Sequence, residues 1–478
     1  MAKRQRRKRQ ERRQEHAKRQ GWQTRHSVIT GVGLAAGAAL GMTSAAQADT
    51  FYVASKLDTT GAVDCANDAN IDCTLRQAIV DANANPDHDS IYFLSGITGT
   101  ITLGSQLSIT NPVGIYGPGP DVLTVSGNHA SRVFNVDPAT TGDYVGIFGL
   151  TVANGQTAGN GGGIFNSDAH LVLFDTVVTG NTAAIGGGGI YESGDNNDGQ
   201  DFYMGYSTVR GNTAASGAGL YGPLFLGDEG SAYGVHNSTF SGNHATGGTG
   251  GALYAGDIAF LTDSTVSGNT ATSSGGGVSA GGDGVGFYNS IASGNSAPVG
   301  PDSDSYLYAG ASLVQSSSAP VHTIPGYANI IGQSAQLGTL ANNGGPTPTM
   351  RPLATSPVID QGFAAGDSDQ RFFDRPVDIP GVPNAPFDAS DMGAVELTLA
   401  EGKQATPPTP TPTPTLTPTP IQHKKCKKKK HHKRSAESTK KKKCKKKKKR
   451  SAAHTSAFGG PGQHWPDGAG QHPFRLGR

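Results

Sequence analysis

Basic residues are nearly missing from the middle of this chain. Between Arg132 and Arg351 there is one, Arg210, and no lysine. A body so poor in Lys and Arg lacks the electrostatic footprint of a nucleic-acid-binding domain. Charged residues make up 16% of the sequence, against a usual share near 25%, and aromatics make up 7%. Apolar residues at helical spacing are also wanting, which excludes a helical bundle or coiled coil. Past the N-terminal region no stretch approaches about 18 consecutive apolar residues, so no later segment reads as a membrane-spanning helix. Cysteines number four and tryptophans two. What abounds is glycine, 69 of 478 residues, roughly twice the usual share of about 7%. It shows no period of three, which excludes collagen. Length alone suggests about three domains of roughly 150 residues, but this composition favours one extended body.

The few charges are segregated. Residues 1–48 hold eleven Lys/Arg and two Asp/Glu, a net of +9. Residues 49–420 hold eight and 33, a net of −25, and residues 421–478 hold twenty and two, a net of +18. The basic N-terminus (Lys3, Arg4, Arg6, Arg7 and onward) leads into a small-residue apolar stretch from Val28 to about Leu40, then Ala46-Gln47-Ala48. A charged region, a short apolar core and an Ala-x-Ala site make residues 1–48 read as a secretory signal peptide. The apolar core is too short and too rich in Gly and Ala for a stable membrane anchor. Cys65 and Cys73 enclose a short polar loop, a spacing that suits a disulfide in an oxidising compartment. No second Cys or His pair lies nearby to hold zinc.

The middle is a repeat. Five segments align: Asp175–Ala183, Tyr206–Ala214, Asn237–Ala245, Asp263–Ala271 and Asn289–Ala297. Their shared asparagines, Asn181, Asn212, Asn243, Asn269 and Asn295, are 31, 31, 26 and 26 residues apart, and a weaker copy contributes Asn154. Four of the five copies are followed by a glycine cluster and one apolar residue, as in Gly186–Gly189 with Ile190. Short β-branched runs between Gly, Asn and Ser fit strands joined by tight turns. Each run is too small to bury its own face, so the coils must stack. A coil of about 26 residues implies a parallel β-helix with three short strands per turn, occupying residues 128–340. The asparagines are expected to form a structural ladder at the turns. The period is too short for a propeller blade of about 40–45 residues, and no nine-residue calcium-binding period is present. Ahead of the repeats, Leu75, Ala78, Ile79 and Ala82 share one helical face. Thr74–Ala84 therefore reads as a short helix capping the open coil, with the first coils completing residues 49–127.

The flanks carry a resemblance. Cys73-Thr74-Leu75-Arg76-Gln77-Ala78 resembles the cap motif named after Cys-Ser-Leu-Arg-Glu-Ala (CSLREA), with departures at Thr74 and Gln77. Pro346–Met350, Leu353–Asp360, Asp369–Arg371, Arg375-Pro376 and Asp391–Glu396 resemble the choice-of-anchor terminal domain of secreted bacterial β-helix proteins. The middle resembles polymorphic outer-membrane-protein repeats. The resemblance implies an all-β, right-handed parallel β-helix displayed outside the cell, and it supplies no reaction. Residues 341–397 are then expected to form a C-terminal cap held by salt bridges among Asp360, Asp369, Arg371, Arg375 and Asp391.

Many β-helices cleave acidic polysaccharides, so catalysis is the competing expectation. Lyase chemistry needs a base and a cation for the uronate, for which Arg210 is the lone repeat candidate. Hydrolysis needs two carboxylates about 5–9.5 Å apart, for which Asp228, Asp257 and Asp263 are candidates. A body at −25 repels a polyanion, and the sequence favours a non-catalytic binding, adhesive or structural module with Ser/Thr/Asn-rich coils suited to carbohydrate. No cofactor is expected. The oxygen-rich run Asp195–Asp201 leaves calcium open, although it does not match calcium-loop spacing.

After the body, residues 398–420 contain a Thr/Pro run from Thr406. Such a run favours an extended spacer of about 3.1 Å per residue. The tail that follows includes Lys424, Lys425, Lys427, Lys428, Lys441, Lys442, Lys445 and Lys446 around Cys426 and Cys444. Charge of this density is expected to stay disordered. In an exported chain it suits attachment to anionic wall polymers or lipid headgroups, at about 1 kcal/mol per cation near an anionic surface. Intracellular nucleic acid is not an expected partner.

Overall fold

The structure is a computed structural model that describes residues 48–402, apart from 62–64, 67–71, 141–142, 194–201, 223–233 and 364–365. The segment read as a signal peptide, nearly all of the linker, the basic tail, Asp228 and the run Asp195–Asp201 lie outside the described residues.

The chain winds as a right-handed parallel β-helix, the hand that parallel crossovers favour. Its described strands form four sheets of eleven, ten, seven and five strands. A full coil passes through all four. The strand His170–Phe174 belongs to the eleven-stranded sheet and Val177–Thr179 to the ten-stranded sheet. Thr182–Ala183 then adds to the five-stranded sheet and Ile190–Glu192 to the seven-stranded one. Three strands per coil, as the repeat suggests, holds only for the first coils; from Gln156 a two-residue fourth strand enters. Its sequence, Thr-Ala in most copies, is too short to show as a strand in a hydropathy pattern.

Strand register follows the sequence step. Val178 pairs with Val209, Val209 with Phe240, Phe240 with Val266 and Val266 with Ala292. Each of these side chains is fully buried. Inward columns of this kind merge into one continuous apolar core along the axis, because no coil buries enough surface alone.

The N-terminal end is closed by helix α1 (Leu75–Ala82). Thr74 caps it, its side chain accepting from the Gln77 backbone N–H at 3.1 Å, which satisfies one of the orphan donors of the first turn. Leu75, Ala78, Ile79 and Ala82 are buried against the first coils. A strand at Thr50–Val53, not evident in the sequence, precedes the helix and pairs in parallel with Asp89–Phe93. Cys65 and Cys73 form a disulfide, with Cα atoms 5.3 Å apart.

The C-terminal segment is not an axial cap. From Ala335 to Leu397 it runs back along the side of the solenoid, over the outward face of the ten-stranded sheet. Thr208, Thr239, Thr265, Ile291 and Leu313 point outward in successive strands of that sheet, yet none is more than 1% exposed. Ala335, Val358 and Met392 pack on Ile291 and Leu313. The reason is chemical: this face carries Thr, Ile and Leu instead of charged groups, so it needs cover.

Candidate functional site

Two buried ladders hold the coils in register. Asn181, Asn212, Asn243, Asn269 and Asn295 each donate from Nδ2 to the Oδ1 of the next rung, the last to Asp302, at 2.8–3.0 Å. The same oxygens accept the backbone N–H of the preceding rung. The ladder ends on Asp302, whose carboxyl burial pushes up to about 6. Asn154 is not a rung. Val152 pairs with Val178, so Asn154 stands opposite Gly180, and Gly155 takes the rung position. Asn154 adopts the left-handed backbone (φ 52°) that Gly180 adopts in the next coil, a conformation asparagine tolerates. A second ladder, missed in the sequence, runs through serine. The backbone N–H groups of Ser207, Ser238, Ser264 and Ser290 bond the hydroxyls of Ser238, Ser264, Ser290 and Ser312 at 3.0–3.3 Å. Its signal was present, a serine recurring second in four aligned copies.

Beside the serine ladder, one residue per coil turns the corner between the eleven- and ten-stranded sheets. These residues, Gly149, Asp175, Tyr206, Asn237, Asp263, Asn289 and Ala311, all have φ between 41° and 61°. This corner row is where the C-terminal segment attaches. Arg375 donates to Asp263 at 2.9 Å and pairs with Glu396 at 3.2 Å. Asn289 donates to Asp263 at 2.7 Å and to the Asp391 carbonyl at 3.1 Å. Tyr206 stacks on Phe372 with centroids 4.5 Å apart. Next to the row, Gln370 donates to Thr208 and accepts from Thr239 at 2.6 Å. Within the segment Arg371 pairs with Asp369 and Glu401. Asp391 accepts from the backbone of Asp360 and Leu397. Burial raises the carboxyls of Asp360, Asp391 and Glu396, and the neighbouring Asp391 charge adds to the effect at Glu396.

The two acidic catalytic candidates among the described residues, Asp257 and Asp263, do not converge. Asp263 is 2% exposed and held by Arg375 and Asn289. Asp257 lies in the turn before the strand Ile258–Thr262, where it accepts from the Asp283 N–H at 3.2 Å. Asp263 follows the same strand, so the two carboxylates are separated by about 20 Å at roughly 3.3 Å per residue. Arg210 is exposed at the end of its strand, between Thr179 and Ser241. No group of three or more His, Cys, Asp or Glu is placed to hold a metal among the described residues.

The outward faces carry aromatic rows instead. On the seven-stranded sheet Phe165, Tyr191, Tyr221 and Tyr254 stack in sequence at 5.4, 5.2 and 4.8 Å, with the Arg132 guanidinium 5.0 Å above Phe165. On the eleven-stranded sheet Tyr92, Tyr116 and Phe148 stack at 4.9 and 4.8 Å. Glycine makes room for this second row, since a Cβ on Gly146 would lie 2.2 Å from the Phe148 ring. A third group, Phe174, Tyr206 and Phe372, sits where the C-terminal segment meets the corner row.

A family model for the Chlamydia polymorphic membrane protein repeat matches residues 237–256, one copy of the repeat. Among curated proteins none matches this chain. A solved structure, described as the crystal structure of pectate lyase Pel9A, is similar to it at 14% identity. That likeness covers 74% of this chain and 98% of that one, with a TM-score of 0.37.

Proposed function

We propose that the chain is an exported β-helix displayed at the cell surface, acting as a non-catalytic binding or adhesive module for glycans. In this reading residues 1–48 direct export and a CSLREA-type segment closes the first coil. The choice-of-anchor-type segment stiffens the flank. The basic tail from residue 421 attaches the protein to anionic wall polymers or lipid headgroups.

The observation that carries the reading is the disposal of the acidic residues. The two described candidate carboxylates, Asp257 and Asp263, stand at opposite ends of one strand, and Asp263 is spent on docking Arg375. The outward surface offers aromatic side chains and hydroxyls, which suit an uncharged polymer. The test incubates the secreted full-length protein with neutral and acidic polysaccharides, with and without calcium, and measures new reducing ends beside retention of the protein on the insoluble polymer. Retention without new ends is the expected result. Turnover on any polymer would replace the reading with a polysaccharide-degrading enzyme.

A further inference from the structure

We propose that a depression at the exit of the described chain, lined by Phe372 and Phe373, receives Pro407 and Pro408 of this chain's own linker. The inference goes beyond the glycan reading and does not depend on it.

The two rings are displayed by a built turn. Phe372, Phe373, Asp374, Val377 and Thr398 line the shallow depression. The Asp369 carboxylate accepts from the Arg371 and Phe373 backbone N–H groups at 2.8 and 3.1 Å. The Asp369 N–H donates to the Phe373 carbonyl at 2.9 Å and closes the turn. Phe372 within it is held at φ 63°, a strained conformation for a bulky residue and one that gathers at ligand clamps. Each ring is already backed on one face. Tyr206 stacks on Phe372 with centroids 4.5 Å apart, and the Arg371 guanidinium lies 4.4 Å from the Phe373 centroid. The rings nevertheless remain 46% and 37% exposed. Side chains fixed in this way lose little freedom when a ligand arrives.

The chain leaves the described body beside this depression. Thr398, which lines it, precedes the short helix α2 (Leu399–Gly402). Glu401 pins that turn to Arg351 and Arg371 at 3.0 and 3.1 Å. Gly402 is seated on Ile379, where a Cβ would lie 2.9 Å from the Ile379 side chain. Val377, two residues before Ile379, packs in the same apolar cluster and lines the depression. Pro407 follows Gly402 by five residues, a span of about 17 Å when extended, so the depression is within its reach. Pro407-Pro408 is the one Pro-Pro pair of the sequence.

The chemistry agrees with the reach. A proline-rich segment favours the polyproline II conformation, loses little entropy on docking, and sets its pyrrolidine rings on aromatic-lined grooves. Lys403 is the only Lys or Arg between Arg375 and Lys424. It stands just ahead of the proline pair, and Asp374 gives the depression a carboxylate to meet it. Docked there, the linker leaves the body at one fixed place.

The test labels the full-length protein with para-fluorophenylalanine and follows the fluorine NMR signals of Phe372 and Phe373. Their loss in Phe372→Tyr and Phe373→Tyr identifies them. Broadening by a soluble nitroxide measures how open each ring is. A segment on so short a tether acts at millimolar effective concentration and keeps the site largely filled, so Pro407→Gly combined with Pro408→Gly should raise the broadening of both signals by about twofold or more. The Phe148 signal, from the eleven-stranded sheet, should not change. The two substitutions remove no described contact, so the fold stays intact. Equal broadening in wild type and variant overturns the proposal, whether the depression is empty or filled by another ligand. Protection in the wild type that disappears on dilution overturns it as well, because the occupant is then the linker of a second copy.

Discussion

Asn212 shows how much one residue supports in this molecule. Its side chain donates to the Val178 carbonyl and to Asn243, and it accepts from both the backbone and side chain of Asn181. All of this happens at zero exposure. Asn212→Ala leaves the Asn181 N–H and the Val178 carbonyl short of a partner in a dry interior, and a loss of about 2–4 kcal/mol in urea unfolding is expected. Asp175 predicts the opposite sign. Burial pushes its folded carboxyl up to about 7, against an ordinary value of 3.8. The native state therefore holds the proton more tightly than the unfolded chain. The associated stability is full below the unfolded value and is lost as pH rises through about 7. Asp175→Asn should raise the melting temperature by a few degrees at pH 8 and by clearly less at pH 5. An equal effect at both pH values would refute the buried-charge account.

At the scale of elements, the C-terminal segment is the part whose attachment is most exposed to single changes. Arg375 and both of its acidic partners are at most 5% exposed. Removing one partner of a buried pair leaves the other charge uncompensated, at about 3–5 kcal/mol. Arg375→Ala should therefore speed hydrogen exchange across residues 335–397 while the strands of the eleven-stranded sheet stay protected. Uniform loss of protection would mean that segment and solenoid unfold as one unit. At the other end, replacing Cys65 and Cys73 by serine removes a short closed loop and should cost about 2–3 kcal/mol in the chain-entropy model. Helix α1 keeps its own cap at Thr74, so its buried face should remain in place after that change.

For the molecule as a whole, the buried carboxylates act in one direction. Asp302 and Asp360 titrate near 6, and burial also raises Asp391 and Glu396. Every one of these groups binds its proton more tightly in the folded state. Their stabilising contribution is complete near pH 4 and declines as pH rises through the range of about 6 and above. Thermal unfolding across pH 5 to 8 should thus show the highest melting point on the acid side. A maximum at pH 8 would contradict the burial that raises these groups. Anchoring also belongs to this scale: deletion of residues 421–450 should release the protein from cells into the medium, and unchanged retention would remove the basic tail as the attachment device.

The sequence by itself determined the solenoid. Recurrence at 26 and 31 residues reappears as strand register, because each coil contacts only its neighbours and stacking turns a linear period directly into pairing. The capping helix was legible from Leu75, Ala78, Ile79 and Ala82, and the disulfide from the Cys65–Cys73 spacing. Asn154 was misplaced because asparagine serves both the rung and the left-handed turn, and only strand pairing tells them apart. The tertiary structure alone decided where the C-terminal segment goes. Arg375 meets Asp263 across 112 residues, and Gln370 meets Ser207 across 163. Contacts at such separations leave no period in the chain, since they depend on which outward face lacks cover once the coils have stacked. The same fold-back decided the fate of one catalytic candidate: it spent Asp263 on a docking contact with Arg375.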